Sequence, residues 1–294
     1  MKYFQLILAI VISGCINSGS GKPHKFIHEK SSKETFNSYD LSHPSRTWNL
    51  PEELKEISGQ AWVDKDHLLA IEDFHPKLYL LRMDEPLTIE QTSSFKETTK
   101  EKFDIEDVAI VNNTVYALWS HGAIYKIADW RTNPKVKKLT TSLSKENNTE
   151  GLCFDPVSHN LLIACKNETA GEDEKKSTRA IYEFNLANET LKPEPFLLIH
   201  KKDFLKVTDE KLQFFPSAIA VHPFTHDIYI LSTKDNKCMA RYNYQGKLLS
   251  LQFIDKDLMP QPEGICFSPQ GTLYISTQGR HGKAAAIFEF AYLK

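Results

Sequence analysis

Glu150-Gly151-Leu152-Cys153-Phe154, followed by the turn Asp155-Pro156 and the apolar run Leu161-Leu162-Ile163-Ala164, decides the fold because it recurs. Four other segments align with its first five residues without gaps: Ser58-Gly59-Gln60-Ala61-Trp62, Glu106-Asp107-Val108-Ala109-Ile110, Ser217-Ala218-Ile219-Ala220-Val221 and Glu263-Gly264-Ile265-Cys266-Phe267. Each is followed by a polar turn and a second apolar run: LLAI at 68–71, VYAL at 115–118, IYIL at 228–231 and LYIS at 273–276. Short β-rich runs around turn residues read as hairpins. A third strand repeats as KLYLL at 77–81, AIYKI at 123–127, AIYEF at 180–184, MARYN at 239–243 and AIFEF at 286–290.

Repeat starts are 48, 44, 67 and 46 residues apart, the scale of a four-stranded propeller blade. The expectation is a single all-β propeller over residues 46–294, with five four-stranded antiparallel blades favoured and six as the alternative. The 67-residue interval is too short for two blades, so it implies insertions at 166–179 and 202–213. The chain ends after a third strand. Residues 46–50 are therefore expected to supply the missing outer strand and cover an edge that would otherwise invite pairing with another chain.

Working outward, MKYFQLILAIVISGC at 1–15 has one charge and an apolar run too short for a permanent span, and it reads as an export signal. Ser13-Gly14-Cys15 resembles a bacterial lipobox, which implies lipid on Cys15 and removal of residues 1–14. Several acyl chains anchor stably, each buried CH₂ contributing ~0.8 kcal/mol. Ile16, where an Asp would resemble a retention signal, favours the outer membrane of a bacterial cell envelope. Residues 15–45, rich in Ser, Lys, His and Asn, are expected to form a flexible tether. SGSGK at 18–22 lacks the preceding strand and glycine of a phosphate loop.

Lys and Arg total 36 and Asp and Glu 38, without a basic stripe, so nucleic acid is not an expected partner. A monomer facing a small ligand or an envelope protein is expected instead. Cys153 and Cys266 share a column with Ala61, Ala109 and Ala220, which reads as buried free thiols and not a disulfide framework. The column of Tyr79, Tyr125, Tyr182 and Phe288 reads as packing between blades.

First strands of propeller blades line the axis. The candidate face therefore gathers Ser58, Glu106, Glu150, Ser217 and Glu263, with Asp73, His121, Asn167, Lys234 and Arg280 from the ends of second strands and the loops beyond. Three converging glutamates need compensation. Strand capping, a Ca²⁺ ion on Glu106, Glu150 and Glu263, pairing with Lys234 or Arg280, and protonation all remain open. Gly-x-Ser-x-Gly and His-Glu-x-x-His are absent, so no catalytic residue is assigned.

The blade starts S-G, E-D, E-G, S-A and E-G over residues 57–293 resemble the SdiA-regulated family of extracytoplasmic propellers. PEGICF at 262–267 is more distantly similar to gluconolactonase- and paraoxonase-like propellers, where a blade-start carboxylate binds calcium. The lipobox and the absence of a nucleophile motif favour a membrane-anchored module that presents its axial face to a ligand or partner, and the second resemblance implies the alternative, a calcium-dependent hydrolase of lactonase or esterase type. Two blade starts here are serines, which departs from the second pattern.

Overall fold

The computed structural model describes residues 39–95, 102–167, 178–208 and 212–293. β1 (Arg46–Asn49) precedes the first repeat. Blade 1 is β2 (Ile57–Asp64), β3 (His67–Glu72), β4 (Lys77–Arg82) and β5 (Thr88–Ser94). Blade 2 is β6 (Ile105–Val111), β7 (Thr114–Trp119), β8 (Ile124–Ala128) and β9 (Lys135–Leu139). Blade 3 contains β10 (Thr149–Asp155), β11 (Asn160–Cys165), β12 (Thr178–Asn185), β13 (Thr190–Leu191) and β14 (Leu197–His200), and α1 (Lys201–Phe204) follows it. Blade 4 is β15 (Pro216–Val221), β16 (Ile228–Ser232), β17 (Cys238–Tyr242) and β18 (Leu248–Phe253). β19 (Pro262–Phe267), β20 (Leu273–Thr277) and β21 (Ala286–Phe290) make three strands of blade 5.

The five-bladed propeller is thus present. Its inner strands form a closed ring, with β2 beside β6, β6 beside β10, β10 beside β15, β15 beside β19 and β19 beside β2. β1 pairs antiparallel with β21, from Arg46 opposite Glu289 to Asn49 opposite Ala286, and so completes blade 5 as the sequence led us to expect. Blade 3 departs from a plain four-strand repeat, because its long β12 pairs with β13 at one end and β14 at the other. The break falls at Lys192-Pro193-Glu194-Pro195, where proline cannot donate to a ladder. Of the insertions expected in the long interval, α1 lies in the second, and residues 168–177 of the first lie outside the described residues.

Five apolar clusters fill the five seams. Leu69, Val108 and Tyr125 lie between blades 1 and 2, Leu118 and Leu152 between 2 and 3, and Leu162 and Ile219 between 3 and 4. Tyr229 and Ile265 lie between blades 4 and 5, and Trp48 and Leu68 close the ring between 5 and 1. Each fully buried Leu or Ile contributes roughly 1.5–3 kcal/mol of transfer free energy. The tyrosine column divides among these seams, with Tyr79 and Tyr125 buried and Tyr182 partly exposed. Cys153, Cys165, Cys238 and Cys266 are buried free thiols.

The packed domain begins earlier than residue 46. Tyr39 is 1% exposed, its hydroxyl donates to Gly271 O at 2.5 Å, and it lies 3.1 Å from His222 Nε2. Phe224 N and Thr225 N both donate to His222 Nδ1, so Nε2 carries the ring proton. Residues 39–45 therefore belong to the propeller and not to the tether, because Tyr39 fills an aromatic box made by Tyr229, Phe267 and Tyr292. Cys15 and residues 1–38 lie outside the described residues. No helix among the described residues is long and apolar enough to cross a membrane.

Candidate functional site at the axial mouth

All five inner strands carry a register shift near their start. The shifts lie between Ile57 and Gly59, Ile105 and Asp107, Thr149 and Gly151, Pro216 and Ala218, and Pro262 and Gly264. The unpaired residue in each is a blade-start residue: Ser58, Glu106, Glu150, Ser217 or Glu263. A bulge re-aims its side chain out of the ladder, so five aligned bulges make one ring of re-aimed groups. In blades 1 and 5 the residue after the bulge has no room for a side chain, since a Cβ on Gly59 would stand 2.4 Å from Asp107 Oδ1 and one on Gly264 2.4 Å from Ser276 Oγ.

Two more rings follow from the same register. Just past the second strands stand Asp73, Ser120, Lys166, Thr233 and Gln278, while two residues before each bulge stand Glu56, Asp104, Asn148, Phe215 and Gln261. In blades 1, 2, 3 and 5 the backbone ties these two rings together, as in Ser120 N to Asp104 O at 3.0 Å and Lys166 N to Asn148 O at 2.8 Å.

The serines hold the ring together. Ser58 Oγ donates to Ile105 O at 2.7 Å and Ser217 Oγ to Pro262 O at 3.1 Å, each across a seam. The glutamates differ from one another. Glu150 accepts from Asn148 Nδ2 at 2.5 Å and pairs with Lys166 Nζ at 2.9 Å. Glu263 accepts from Gln261 Nε2 at 2.8 Å. Among the described residues, no group donates to the Glu106 carboxyl. The residue keeps some surface at the mouth.

These surroundings raise Asp73, Glu106, Glu150 and Glu263. Burial pushes Glu106 well above the usual carboxylate range, with Glu150, Asp104 and Asp73 adding to the effect. Burial lifts Glu263 to about 8, and the Lys166 charge only partly opposes it. Asp73 rises to about 7 through burial and the nearby charges of Asp104, Glu56 and Glu72. Burial also raises Glu150, against the pull of Lys166. For Lys166 burial works against the charge, but the Glu150 and Glu263 carboxylates outweigh it and hold the ammonium firmly protonated.

Compensation thus comes from Lys166, from protonation and in part from Arg280, whose charge also acts on Asp73 and Glu263, and not from Lys234. Lys234 is exposed and lies over the Phe215 ring at 4.7 Å, while Arg280 pairs with Glu56 at 2.6 Å and binds Gln261. His121 stacks on Trp119, and Asn167 is exposed and donates to Glu146 O. Asp73 does join the mouth, and Gln278 Nε2 reaches its Oδ2 at 3.4 Å. Calcium does not fit this donor set. An ammonium occupies the outer oxygen of Glu150, and among the described residues no three carboxylates, imidazoles or thiols are grouped to hold a metal ion. No step is assigned to a metal here.

Lys166 stands on the expected face as the end of a second strand, but the sequence pointed to Lys234 or Arg280 as the pairing cation. Asp104, Glu56 and Gln261 were not among the candidates drawn from sequence, because they precede the five-residue repeat by two positions. Asp107 was also missed. It is the one charged residue in the small-residue column, 1% exposed, and accepts from Val108 N at 2.8 Å and from Leu152 N of the next blade at 2.7 Å.

Residues 46–278 match the SdiA-regulated family. Among solved structures, glutaminyl cyclase of Myxococcus xanthus superposes with a TM-score of 0.57 at 11% identity, covering 86% of this chain and 97% of that one. A protein of unknown function from Bacteroides thetaiotaomicron gives 0.52 at 16% identity, covering 79% of this chain and 58% of that one. The PQQ-bound aldose sugar dehydrogenase of Streptomyces coelicolor gives 0.51 at 11% identity, with coverages of 87% and 98%. At these identities the likeness is one of fold. No curated protein sequence matches the chain.

Proposed function

From the premise that this chain belongs to the SdiA-regulated family, we propose that it is a binding module of the bacterial cell envelope, lipid-anchored through Cys15, whose axial mouth takes a small ligand. The observation that carries the reading is the ring of five aligned bulges. Five blades repeat one irregularity at one end of the axis, and there the fold keeps more carboxyl groups than cations. A bulge interrupts pairing at some cost, and bulges concentrate beside functional sites. Buried carboxyls with raised proton affinity are a mark of such sites too.

Anchoring rests on the apolar run before Ser13-Gly14-Cys15, with the outer membrane as destination and a monomer as the working unit. Palmitate labelling of cells producing the wild-type chain and Cys15→Ala tests the anchor, and an unlabelled wild-type chain in the soluble fraction overturns it. Binding is tested by melting the full-length chain against a library sorted by charge, beside Glu106→Gln. A ligand class that raises the melting temperature of the wild type but not of the variant supports the mouth. Equal shifts in both place the ligand elsewhere.

A further inference from the structure

The fold already seats one ligand-like group in the mouth. The Lys166 side chain enters from the end of β11 and presents an alkylammonium to Glu150 at 2.9 Å, with its side chain 20% exposed and that of Glu150 8%. Glu263 and Glu106 also act on that charge. An ammonium on an unbranched alkyl stem is therefore sterically and electrostatically accepted at this position.

One such group leaves the mouth short of positive charge. Asp73, Asp104, Glu106, Glu150 and Glu263 gather there, and against these five carboxyls the second cation, Arg280, is paired with Glu56, although its charge also acts on Asp73 and Glu263. Ser120 Oγ donates to Asp104 Oδ2 at 2.6 Å, but that bond brings no charge. Two oxygens of the ring that contains Lys166 are buried without a hydrogen-bond partner: Asp73 Oδ1 and Thr233 Oγ1, the latter on a residue only 7% exposed. Orphaned buried acceptors are uncommon and call for a cause. Here a missing donor supplies one. Ile105 N donates to Asp73 O at 3.0 Å, which sets Asp73 beside the Glu106 bulge on the side of the mouth formed by blades 1 and 2.

We infer that the axial mouth is a site for a small molecule bearing a primary alkylammonium group, held by Asp73 and Glu106 beside the Lys166 ammonium. This inference rests on the mouth being the binding site. An ammonium offers three donors in a compact head, which suits Asp73 Oδ1 and the undonated carboxyl of Glu106. The Thr233 hydroxyl, at the equivalent register position in blade 4, is open to a second polar group of the ligand.

The test uses the full-length chain with n-butylammonium and 1,4-diaminobutane as probes and tetramethylammonium, glucose and acetate as contrasts, read by thermal melting and titration calorimetry. The two primary amines should raise the melting temperature by a few degrees at saturation, through mass action on the folded state. Glu106→Gln and Asp73→Asn, both close in shape to the wild type, should each weaken them at least tenfold. Lys166→Ala should melt lower than wild type and be restored toward it by n-butylammonium but not by tetramethylammonium. If glucose or acetate shifts the wild type in a Glu106-dependent way while the amines do not, the mouth binds but the ammonium inference falls. If no compound shifts the wild type and n-butylammonium leaves Lys166→Ala unchanged, both readings fall.

Discussion

The two ends of the same strands treat their polar groups in opposite ways. On the underside, where first strands turn into second strands, the turn side chains are matched with donors. Asp155 accepts from Val157 N, Ser158 N, Ser158 Oγ and Tyr244 OH, and Ser268 Oγ accepts from Gln270 N and Thr272 N. His222 caps its own turn and meets Tyr39, and Asp64 accepts from Asp66 N. At the mouth, carboxyls outnumber cations and buried oxygens lack donors. Turn chemistry that serves stability alone is completed locally, within a few residues. The incomplete face is where stability has been given up, which is the expected signature of a functional surface.

The sharpest way to break the comparison is through the segment that closes the ring. Deleting residues 16–38 should leave the melting temperature of the propeller within a degree or two. Deleting 16–50 removes β1, the Tyr39 plug and Trp48, exposes the β21 edge, and should lower it by more than 10 °C or abolish folding, as circular dichroism melts will show. Equal melts for the two truncations overturn the account of closure.

At the mouth, Lys166→Ala strips Glu150 of its partner. Removing one member of a buried pair costs up to ~3–5 kcal/mol, but Glu150 can escape part of that loss by taking a proton. The destabilisation measured in urea should therefore be smaller at pH 5 than at pH 8, and the reverse order would mean that Glu150 stays ionised throughout.

Opposite pH responses of the two faces sharpen the contrast. Glu263 is held at about 8 in the fold against 4.5 when unfolded, so between those values the folded state binds more protons and stability falls as pH rises. Burial holds His222 at about 4 against 6.5, so between those values the unfolded state binds more protons and stability falls as pH drops. Glu263→Gln should flatten the alkaline decline over pH 5–8 and leave the acid one intact. A profile unchanged in the variant would show that Glu263 does not titrate in that window.

Smaller effects belong to the underside and the core. Tyr39→Phe keeps the aromatic contacts and loses the hydroxyl bonds to Gly271 and His222, at about 0.5–1.5 kcal/mol by urea titration. Cys153→Ala and Cys266→Ala should each cost ~1 kcal/mol or less, since alanine already fills that column in three blades. Recovery of a Cys153–Cys266 crosslink after alkylation without reductant would overturn the assignment of both as free thiols.

Much of this architecture was legible in the chain. A five-fold repeat of Glu or Ser, small residue and apolar pair exposes blade number, strand order and the axial face together, because every blade must solve the same packing problem. Closure by 46–49 was legible as well, from a last blade short of one strand. What escaped were features that repetition does not encode. Tyr39 belongs to no repeat, and its burial depends on a box assembled from blades 4 and 5. Lys166 fell on the expected face, but its pairing escaped, because only the register of β11 against the Glu150 bulge makes it the partner of that carboxylate. The bulges themselves leave no mark in residue spacing, since an unpaired residue looks like any other until its partner strand is known.

β1 climbs from the underside toward the mouth and β21 descends beside it, so Tyr39 and Leu293 both stand on the underside at opposite ends of the described chain. For anyone coupling the propeller, cut back to Tyr39–Leu293, to a bead, a fluorophore or a second protein, each end is a handle on the far side from the carboxyl ring. Cargo attached at either end leaves the opening of the axis unobstructed.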